Sequence, residues 1–107
     1  MFIIAVYCPV DHLQAIKQAM FAAGGGQIGN YDSCSFEYRG LGQFRAKAGA
    51  NPFIGQLGHI EQLAEVKLEM ACSPDCISQV ITALKSAHPY EEVAFHVIKD
   101  ESQQFRD

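Results

Sequence analysis

The chain has 107 residues, of which 49% are hydrophobic and 19% are charged. A chain of this length forms a single small domain with a thin core, because small domains bury a smaller share of their surface than large ones. We therefore expect one domain over residues 1–107. Its eight lysines and arginines against twelve aspartates and glutamates give a net charge of −4, and no basic run is present, which argues against nucleic acid as a partner.

The N-terminal segment Met1–Tyr7 is apolar but lacks a charged leader region, and Asp11 and His12 soon interrupt it. It is too short for a signal peptide or a membrane span, so we expect a cytoplasmic protein with no membrane partner. The spacing of the cysteines, at positions 8, 34, 72 and 76, matches no zinc-finger pattern. We expect them to be reduced thiols.

An internal repeat predicts the architecture. Cys8 falls on Cys72 and Asp11 falls on Asp75 when the sequence is displaced by 64 residues, the difference between positions 72 and 8. Each half begins with alternating apolar residues, the period of a strand, and continues with apolar residues at helical spacing. The repeat therefore predicts two consecutive strand-helix-strand units.

The predicted elements follow in chain order. Each helix begins at an aspartate in the N-cap position, and the helices run roughly over Asp11–Ala23 and Asp75–Ala87. The glycines at positions 24 to 26 are predicted to end the first helix and not to bind phosphate, because they follow a helix and do not precede one. A second strand is expected over Ser33–Arg39 and a fourth over Val93–Lys99.

Two such units predict an α+β, ferredoxin-like βαββαβ domain. In this fold an antiparallel sheet has the strand order 4-1-3-2, and two helices cover one of its faces. The other face is open and would carry Ile3, Ala5 and Tyr7 of the first strand. Because an apolar stripe of this kind would meet water in a monomer, we expect a homo-oligomer.

The connection between the second and third strands is predicted to be long, from Gly40 to about Leu63. Connections of more than about a dozen residues are usually functional or disordered. This one contains Phe44 and Phe53 among other apolar residues, and it is too apolar for simple disorder. We expect it to pack on its own domain or on a neighbour. Arg45 and Lys47 could meet an anionic ligand there, with solvated surface cations as the alternative.

One edge of the predicted sheet gathers groups that suit a transition metal. Cys8 lies at the end of the first strand, and His88, Glu91 and Glu92 precede the fourth. Since imidazole and thiolate suit zinc or copper, these four residues are candidate metal ligands. The alternative interpretation makes Cys8 a small core residue, His88 a cation at a helix C-terminus and the glutamates solvated. No nucleophile, base and orienting group occur together, so no catalytic residue is predicted.

Four ordered motifs resemble the CutA/PII-like domain that is inserted in Nif-three-like (Ngg-one-interacting factor three) proteins. The resemblance covers nearly the whole chain, and its motifs are residues 29–32 (GNYD), 42–45 (GQFR), 51–55 (NPFIG) and 88–92 (HPYEE). It implies a ferredoxin-like subunit that tends to form trimers with the open sheet faces turned inward. It also places the long loop where PII signal proteins have the effector loop, next to ligands bound between subunits.

The same resemblance implies no enzyme, because the metal-binding core of the larger, cyclohydrolase-like relatives lies outside the inserted domain. We therefore predict a non-enzymatic, oligomeric regulatory module that binds a metal or a small ligand at a subunit boundary. The candidate ligand-binding residues are Phe44, Arg45, Asn51, Phe53 and Tyr90. A structural oligomerisation or protein-interaction domain is the alternative, and a metal-dependent hydrolase or cyclohydrolase is a third class.

Overall fold

A computed structural model describes residues 1–106 of the chain. The strands are β1 (Phe2–Pro9), β2 (Phe36–Arg45), β3 (Ile60–Cys72) and β4 (Phe95–Lys99), and the helices are α1 (Leu13–Ala22) and α2 (Ile77–Ala87). Short 3-10 turns occupy Val10–His12 and Ser102–Phe105. The strands form one antiparallel sheet in the order β2-β3-β1-β4, which confirms the predicted ferredoxin-like fold.

The hydrophobic core lies between the two helices and one face of the sheet. Alternation along β1 directs Ile4, Val6 and Cys8 to this face, and all three are fully buried. The remaining members of the buried cluster come from β3 and from the apolar faces of the helices, namely Leu13, Ile16, Met20, Val66, Leu68, Met70, Cys72, Val80 and Leu84. No helix among residues 1–106 is long and apolar enough to cross a membrane.

The opposite face of the sheet carries Ile3, Ala5 and Tyr7, as predicted. Ala5 pairs with Glu69 of β3 on one side and with His96 of β4 on the other. Side chains directly opposite each other in an antiparallel pair point to the same face, so this face combines apolar and charged groups. We call it the open face; it also includes Phe36, Tyr38, Lys67 and Ile98.

The predicted bounds of the second strand were wrong. β2 begins at Phe36, three residues later than predicted, and continues to Arg45, well beyond Arg39. It pairs residue by residue with β3, from Phe36 opposite Glu69 to Arg45 opposite Ile60. The connecting loop is therefore residues 46–59, shorter than the predicted connection. Pairing with a long neighbouring strand outweighs the local glycine content that favoured a loop.

The predicted helix caps were also wrong. α1 begins at Leu13 and α2 at Ile77, with His12 and Cys76 in the N-cap positions and no side-chain capping bond at either. Asp11 lies in the 3-10 turn that follows β1, so it precedes the helix and does not cap it. β4 begins at Phe95, two residues later than predicted.

The glycine turn after α1 ends the helix, as predicted. Gly24 and Gly26 have φ angles of +110° and +77°, a region that side chains with a Cβ rarely adopt. The Gly26 N–H donates to the Ala71 carbonyl at 2.8 Å. This bond ties the turn to β3.

Truncation of Leu68 should destabilise the fold, because its side chain is fully buried in the core. Leu68→Ala should lower the free energy of unfolding by about 2–5 kcal/mol, since it leaves a cavity. Leu41→Ala is the matched control, because Leu41 lies on the neighbouring strand and is 71% exposed; it should change stability by less than about 0.5 kcal/mol. Urea unfolding measures both, and equal losses would contradict this placement of the core.

Candidate ligand-binding site

A cavity of about 690 Å³ lies between the end of β2, the loop 46–59 and the segment that leads into β4. Its volume falls in the range of about 300–1,000 Å³ that is usual for small-molecule sites. The side chains that define it come from all three parts and from the open face, and they include Tyr7, Phe44, Arg45, Lys47, Phe53, Ile54, Glu65, Tyr90, Glu91 and Glu92. The elements that the topology brings to this edge thus enclose a space of ligand size.

Tyr90 is the centre of an aromatic cluster in the cavity wall. The centroid of its ring lies 6.2 Å from those of both Phe44 and Phe53. Phe53 also packs at right angles on His12, with ring centroids 5.6 Å apart. These contacts fold the loop back on its own domain, one of the two arrangements expected from its apolar sequence.

The His88 side chain fixes the segment that carries Tyr90. It is only 6% exposed, and its Nε2 lies 2.7 Å from the Tyr7 carbonyl oxygen. Its Nδ1 accepts a hydrogen bond from the Tyr90 N–H at 3.2 Å. Because a carbonyl can only accept and a backbone N–H can only donate, these bonds require the neutral tautomer with the proton on Nε2.

The electrostatics of His88 agree with this tautomer. Burial lowers the pKa of His88 below its usual value of 6.5, and this effect outweighs the bond to the Tyr7 carbonyl and the charge of Glu65, which both favour protonation. The ring is therefore neutral at pH 7. Both of its nitrogens serve the fold.

The carboxylate of Glu65 lies against Gly42 of β2 and reaches Tyr90. A Cβ at position 42 would collide with the carboxylate of Glu65 in this position, so a larger residue there would force that side chain to move. The Tyr90 hydroxyl donates to Glu65 Oε2 at 3.5 Å. Burial, together with the charge and the hydrogen bond of Glu65, raises the pKa of Tyr90 to about 12. The phenol is thus protonated and held on the cavity wall.

The second tie between the loop and the Tyr90 segment is made by Asn51. Its backbone N–H donates to Glu91 Oε1 at 2.7 Å. The amide side chain of Asn51 is not needed for this bond, so any residue except proline could make it. Glu91 therefore holds the loop, and one of its carboxylate oxygens is already in use.

Two cations lie on the loop side of the cavity. Arg45 and Lys47 both line it and both are exposed. Among residues 1–106, neither has a carboxylate oxygen within 4.0 Å, whereas Lys17 pairs with Glu37 and Lys67 pairs with Glu69. The two cations next to the aromatic cluster can therefore pair with an anionic group of a ligand.

The four predicted metal ligands do not form one cluster. Cys8 is buried in the core, and burial, followed by the charges of Glu65 and Glu37, raises the pKa of its thiol to about 12. His88 uses both nitrogens and Glu91 holds the loop, while Glu92 lines the cavity. Over the part of the chain that the structure describes, no three or more His, Cys, Asp and Glu side chains are placed to hold a metal ion.

The structure gathers most of the predicted ligand-binding residues. Phe44, Arg45, Phe53 and Tyr90 line the cavity, and Asn51 fastens the loop that closes it. Ligand binding by these residues stays a prediction. Sequence reasoning missed Glu65, which nothing in the local sequence distinguishes from the other acidic residues of β3. It assigned Tyr7 to the open face but not to the site.

No protein-family model matches the chain. A protein of Mycobacterium leprae named GTP cyclohydrolase 1 type 2 homolog is 41% identical to it over 92 residues. The match covers 86% of this chain and 24% of that protein. The chain thus spans about a quarter of the length of the curated relatives that it matches.

Two solved structures are similar to the chain. The Bacillus cereus protein related to NIF3 has a TM-score of 0.81 and 35% identity, and the match covers 94% of this chain and 25% of that one. The periplasmic divalent cation tolerance protein CutA of Archaeoglobus fulgidus has a TM-score of 0.65 and 15% identity, with coverage of 94% and 85%. The second likeness shows the fold alone. Together they confirm the resemblance to the CutA/PII-like domain of NIF3-like proteins.

Acidification should destabilise the fold through His88. Its pKa lies below 6.5 in the folded chain and near 6.5 in the unfolded chain, so the unfolded chain binds more protons as the pH falls through 6.5. The free energy of unfolding should therefore fall between pH 7 and pH 5, as measured by urea unfolding at each pH. This slope should be smaller in His88→Gln and unchanged in His59→Gln, a control in the exposed loop. Equal slopes in His88→Gln and the unaltered chain would contradict the assignment.

Proposed function

We propose that the chain, which resembles the CutA-like domain of NIF3-like proteins, is a non-enzymatic regulatory module that binds a small organic ligand. The observation that carries this proposal is the cavity of about 690 Å³ between the loop 46–59 and Tyr90. Its aromatic wall and its two cations, which have no carboxylate partner among residues 1–106, support binding of a planar molecule that bears an anionic group.

The aromatic cluster supplies the apolar part of this recognition. A flat heterocycle placed against Phe44, Phe53 or Tyr90 would bury ring surface, and stacking of a base on an aromatic side chain contributes about 1–3 kcal/mol. The guanidinium group of Arg45 can pair with two oxygens of a phosphate or carboxylate at once. A nucleotide combines both features, and the name of the relatives, GTP cyclohydrolase 1 type 2 homolog, makes GTP the first molecule to test.

Regulation would act through the loop. Its attachments to the body of the domain are few, chiefly the packing of Phe53 and the hydrogen bond from Asn51 to Glu91. A ligand that contacts the loop in this arrangement binds it better than other arrangements, so binding shifts the population toward the closed loop. The position of the loop would then report on ligand concentration.

Zinc or copper fits this site poorly. A metal bound by His88 would have to displace either the Tyr7 carbonyl or the Tyr90 N–H, because each ring nitrogen already has a partner. Losing either bond leaves a partly buried backbone group unsatisfied, and an unsatisfied group costs about 1–3 kcal/mol when it is fully buried. We therefore favour the organic ligand over the metal.

Calorimetric titration with GTP tests the proposal. GTP should bind, and guanosine should bind more weakly because it lacks the phosphates that pair with Arg45. Arg45→Ala should weaken GTP binding about tenfold, the equivalent of about 1.4 kcal/mol. Lys99→Ala is the matched control, because Lys99 lies on β4 and does not line the cavity; it should leave affinity unchanged. Absence of heat at millimolar GTP, or equal effects of the two substitutions, would contradict this ligand class.

We also propose that the chain assembles into a homo-oligomer, most simply a trimer, through the open face. Phe36 and Ile98 are 66% and 54% exposed on this face, and burying them in a subunit contact would remove apolar surface from water. In the purely structural alternative, an oligomerisation or protein-interaction domain, the apolar residues of the loop would dock a partner chain. The two functions differ in whether the cavity binds a ligand.

Light scattering after gel filtration tests the assembly. The unaltered chain should have three times the 11.8 kDa mass of one chain. Phe36→Asp should lower that mass, because it puts a charge in the contact surface. Phe105→Asp should leave it unchanged, since Phe105 is 84% exposed in the C-terminal turn, outside the sheet. A monomeric unaltered chain, or an unchanged mass for Phe36→Asp, would contradict assembly through this face.

A further inference from the structure

Two cysteine side chains meet at the junction of β3 and α2. Cys72 is the last residue of β3 and Cys76 immediately precedes α2. Their Sγ atoms lie 3.9 Å apart, and both thiols are free. Cys72 pairs with Phe2 at the start of β1, whereas the cavity contacts Tyr7 near its end. The pair is therefore at the opposite end of the sheet from the proposed ligand site.

We propose that Cys72 and Cys76 form a redox-modification site, which hydrogen peroxide converts into an intramolecular disulfide. A disulfide has an S–S distance of about 2.0 Å, so the two sulfur atoms have to approach by roughly 2 Å. Cys76 lies in the turn between β3 and α2, outside the paired strands. Its side chain can therefore move toward Cys72 while the backbone pairing of β3 stays in place.

The two thiols differ in accessibility, and this difference determines which cysteine reacts first with peroxide. Cys72 is 1% exposed, while Cys76 is only partly buried. Burial and the hydrogen bond with Cys76 raise the pKa of Cys72 to about 12, so Cys72 stays a protonated thiol. Peroxide therefore reacts first at Cys76, since the thiolate of an accessible cysteine is the reactive form.

The reaction balances in two steps. The Cys76 thiolate attacks one oxygen of hydrogen peroxide and breaks the O–O bond, which gives a sulfenic acid and releases hydroxide. The Cys72 sulfur then attacks the Cys76 sulfur, and its proton leaves with the sulfenic hydroxyl as water. The two sulfur atoms together lose two electrons, and the peroxide is reduced to two molecules of water once the hydroxide is protonated.

The resulting disulfide would be easily reversed. It closes a loop of only five residues, 72–76, and the stabilisation that a disulfide gives through loop closure decreases as the loop becomes shorter. A bond with little stabilisation has a higher reduction potential and is opened by small thiols. Its formation also draws Cys76 Sγ away from Ser73 Oγ, at 3.1 Å, and from the Gly24 carbonyl, at 3.5 Å. Oxidation would thus loosen the contact between α2 and the glycine turn.

The other two cysteines serve as internal controls. The Sγ atoms of Cys8 and Cys34 contact backbone carbonyl oxygens, those of Val6 and Asp32. Cys8 is fully buried. Only the pair at 72 and 76 brings two sulfur atoms within 4.0 Å among residues 1–106.

Mass spectrometry of the folded chain after treatment with hydrogen peroxide tests the proposal. The intact mass should fall by two hydrogen atoms, two of the four thiols should become resistant to alkylation, and a peptide digest should link Cys72 to Cys76. Dithiothreitol should restore all four thiols. Cys34→Ser should behave in the same way, whereas Cys76→Ser should abolish the mass loss. Cys72→Ala should leave Cys76 as a sulfenic acid that dimedone traps.

Three results would overturn the proposal: no loss of two hydrogens in the unaltered chain, a disulfide that involves Cys34, or a mass loss that persists in Cys76→Ser. Circular dichroism of each variant before oxidation establishes that it is folded. The Cys34→Ser variant keeps the test valid even if the substitution at the buried Cys72 disturbs the core. None of these readouts depends on GTP binding, so failure here and failure of the proposed function are distinguishable.

Discussion

The imidazole of His88 joins the segment that follows α2 to β1, 81 positions away in the sequence, and the candidate site depends on this junction. Its two nitrogens bind the carbonyl of Tyr7 in β1 and the N–H of Tyr90, directly after α2 has ended. Residues 88–94 lie outside regular secondary structure, because α2 ends at Ala87 and β4 begins only at Phe95. A buried, neutral ring thus sets the position of the segment that forms one wall of the cavity.

The other walls of the cavity are formed by side chains and loop backbone that contact this segment. The ring of Tyr90 packs against Phe44 and Phe53, and its hydroxyl donates to Glu65. The carboxylate of Glu91 accepts a hydrogen bond from the backbone of the loop. The carboxylates on this side of the cavity are therefore partly used in holding the wall. Arg45 and Lys47, on the loop side, have no such partner among residues 1–106. This asymmetry is the physical basis for assigning an anionic organic ligand to the site.

The parts of the fold that were predictable are those governed by local periodicity. Alternation identified the buried face of β1, and the displacement that brings Cys8 onto Cys72 identified the two halves and hence the strand order. The extent of β2 was not predictable, because it depends on pairing with β3 over ten residues that include Gly40 and Gly42. These glycines favour a loop locally. In the fold, the carboxylate of Glu65 lies against Gly42.

The candidate site also has parts that the sequence could predict and parts that it could not. The sequence named aromatic and cationic candidates in a predicted apolar connection, and the structure places two of them, Phe44 and Arg45, at the end of β2 and not in the loop. The role of His88 was not predicted: the sequence suggested a metal ligand or a cation at a helix C-terminus, whereas the ring is neutral and hydrogen-bonded at both nitrogens. Only the two partners of its ring separate these interpretations. Glu65 was missed for a similar reason, since its function depends on a contact with Tyr90 twenty-five positions away.

The most direct test of this account is a nitrogen-15 NMR titration of the chain, with GTP in one series and zinc in the other, which follows the His88 ring and the backbone amides. The account predicts a neutral His88 ring with its proton on Nε2 at pH 7. It predicts that GTP shifts the amides of residues 44–54 and 90–92, and that stoichiometric zinc leaves the His88 ring signals in place. Zinc that displaces the His88 ring signals, while GTP leaves the loop amides unchanged, would contradict it and restore the metal site.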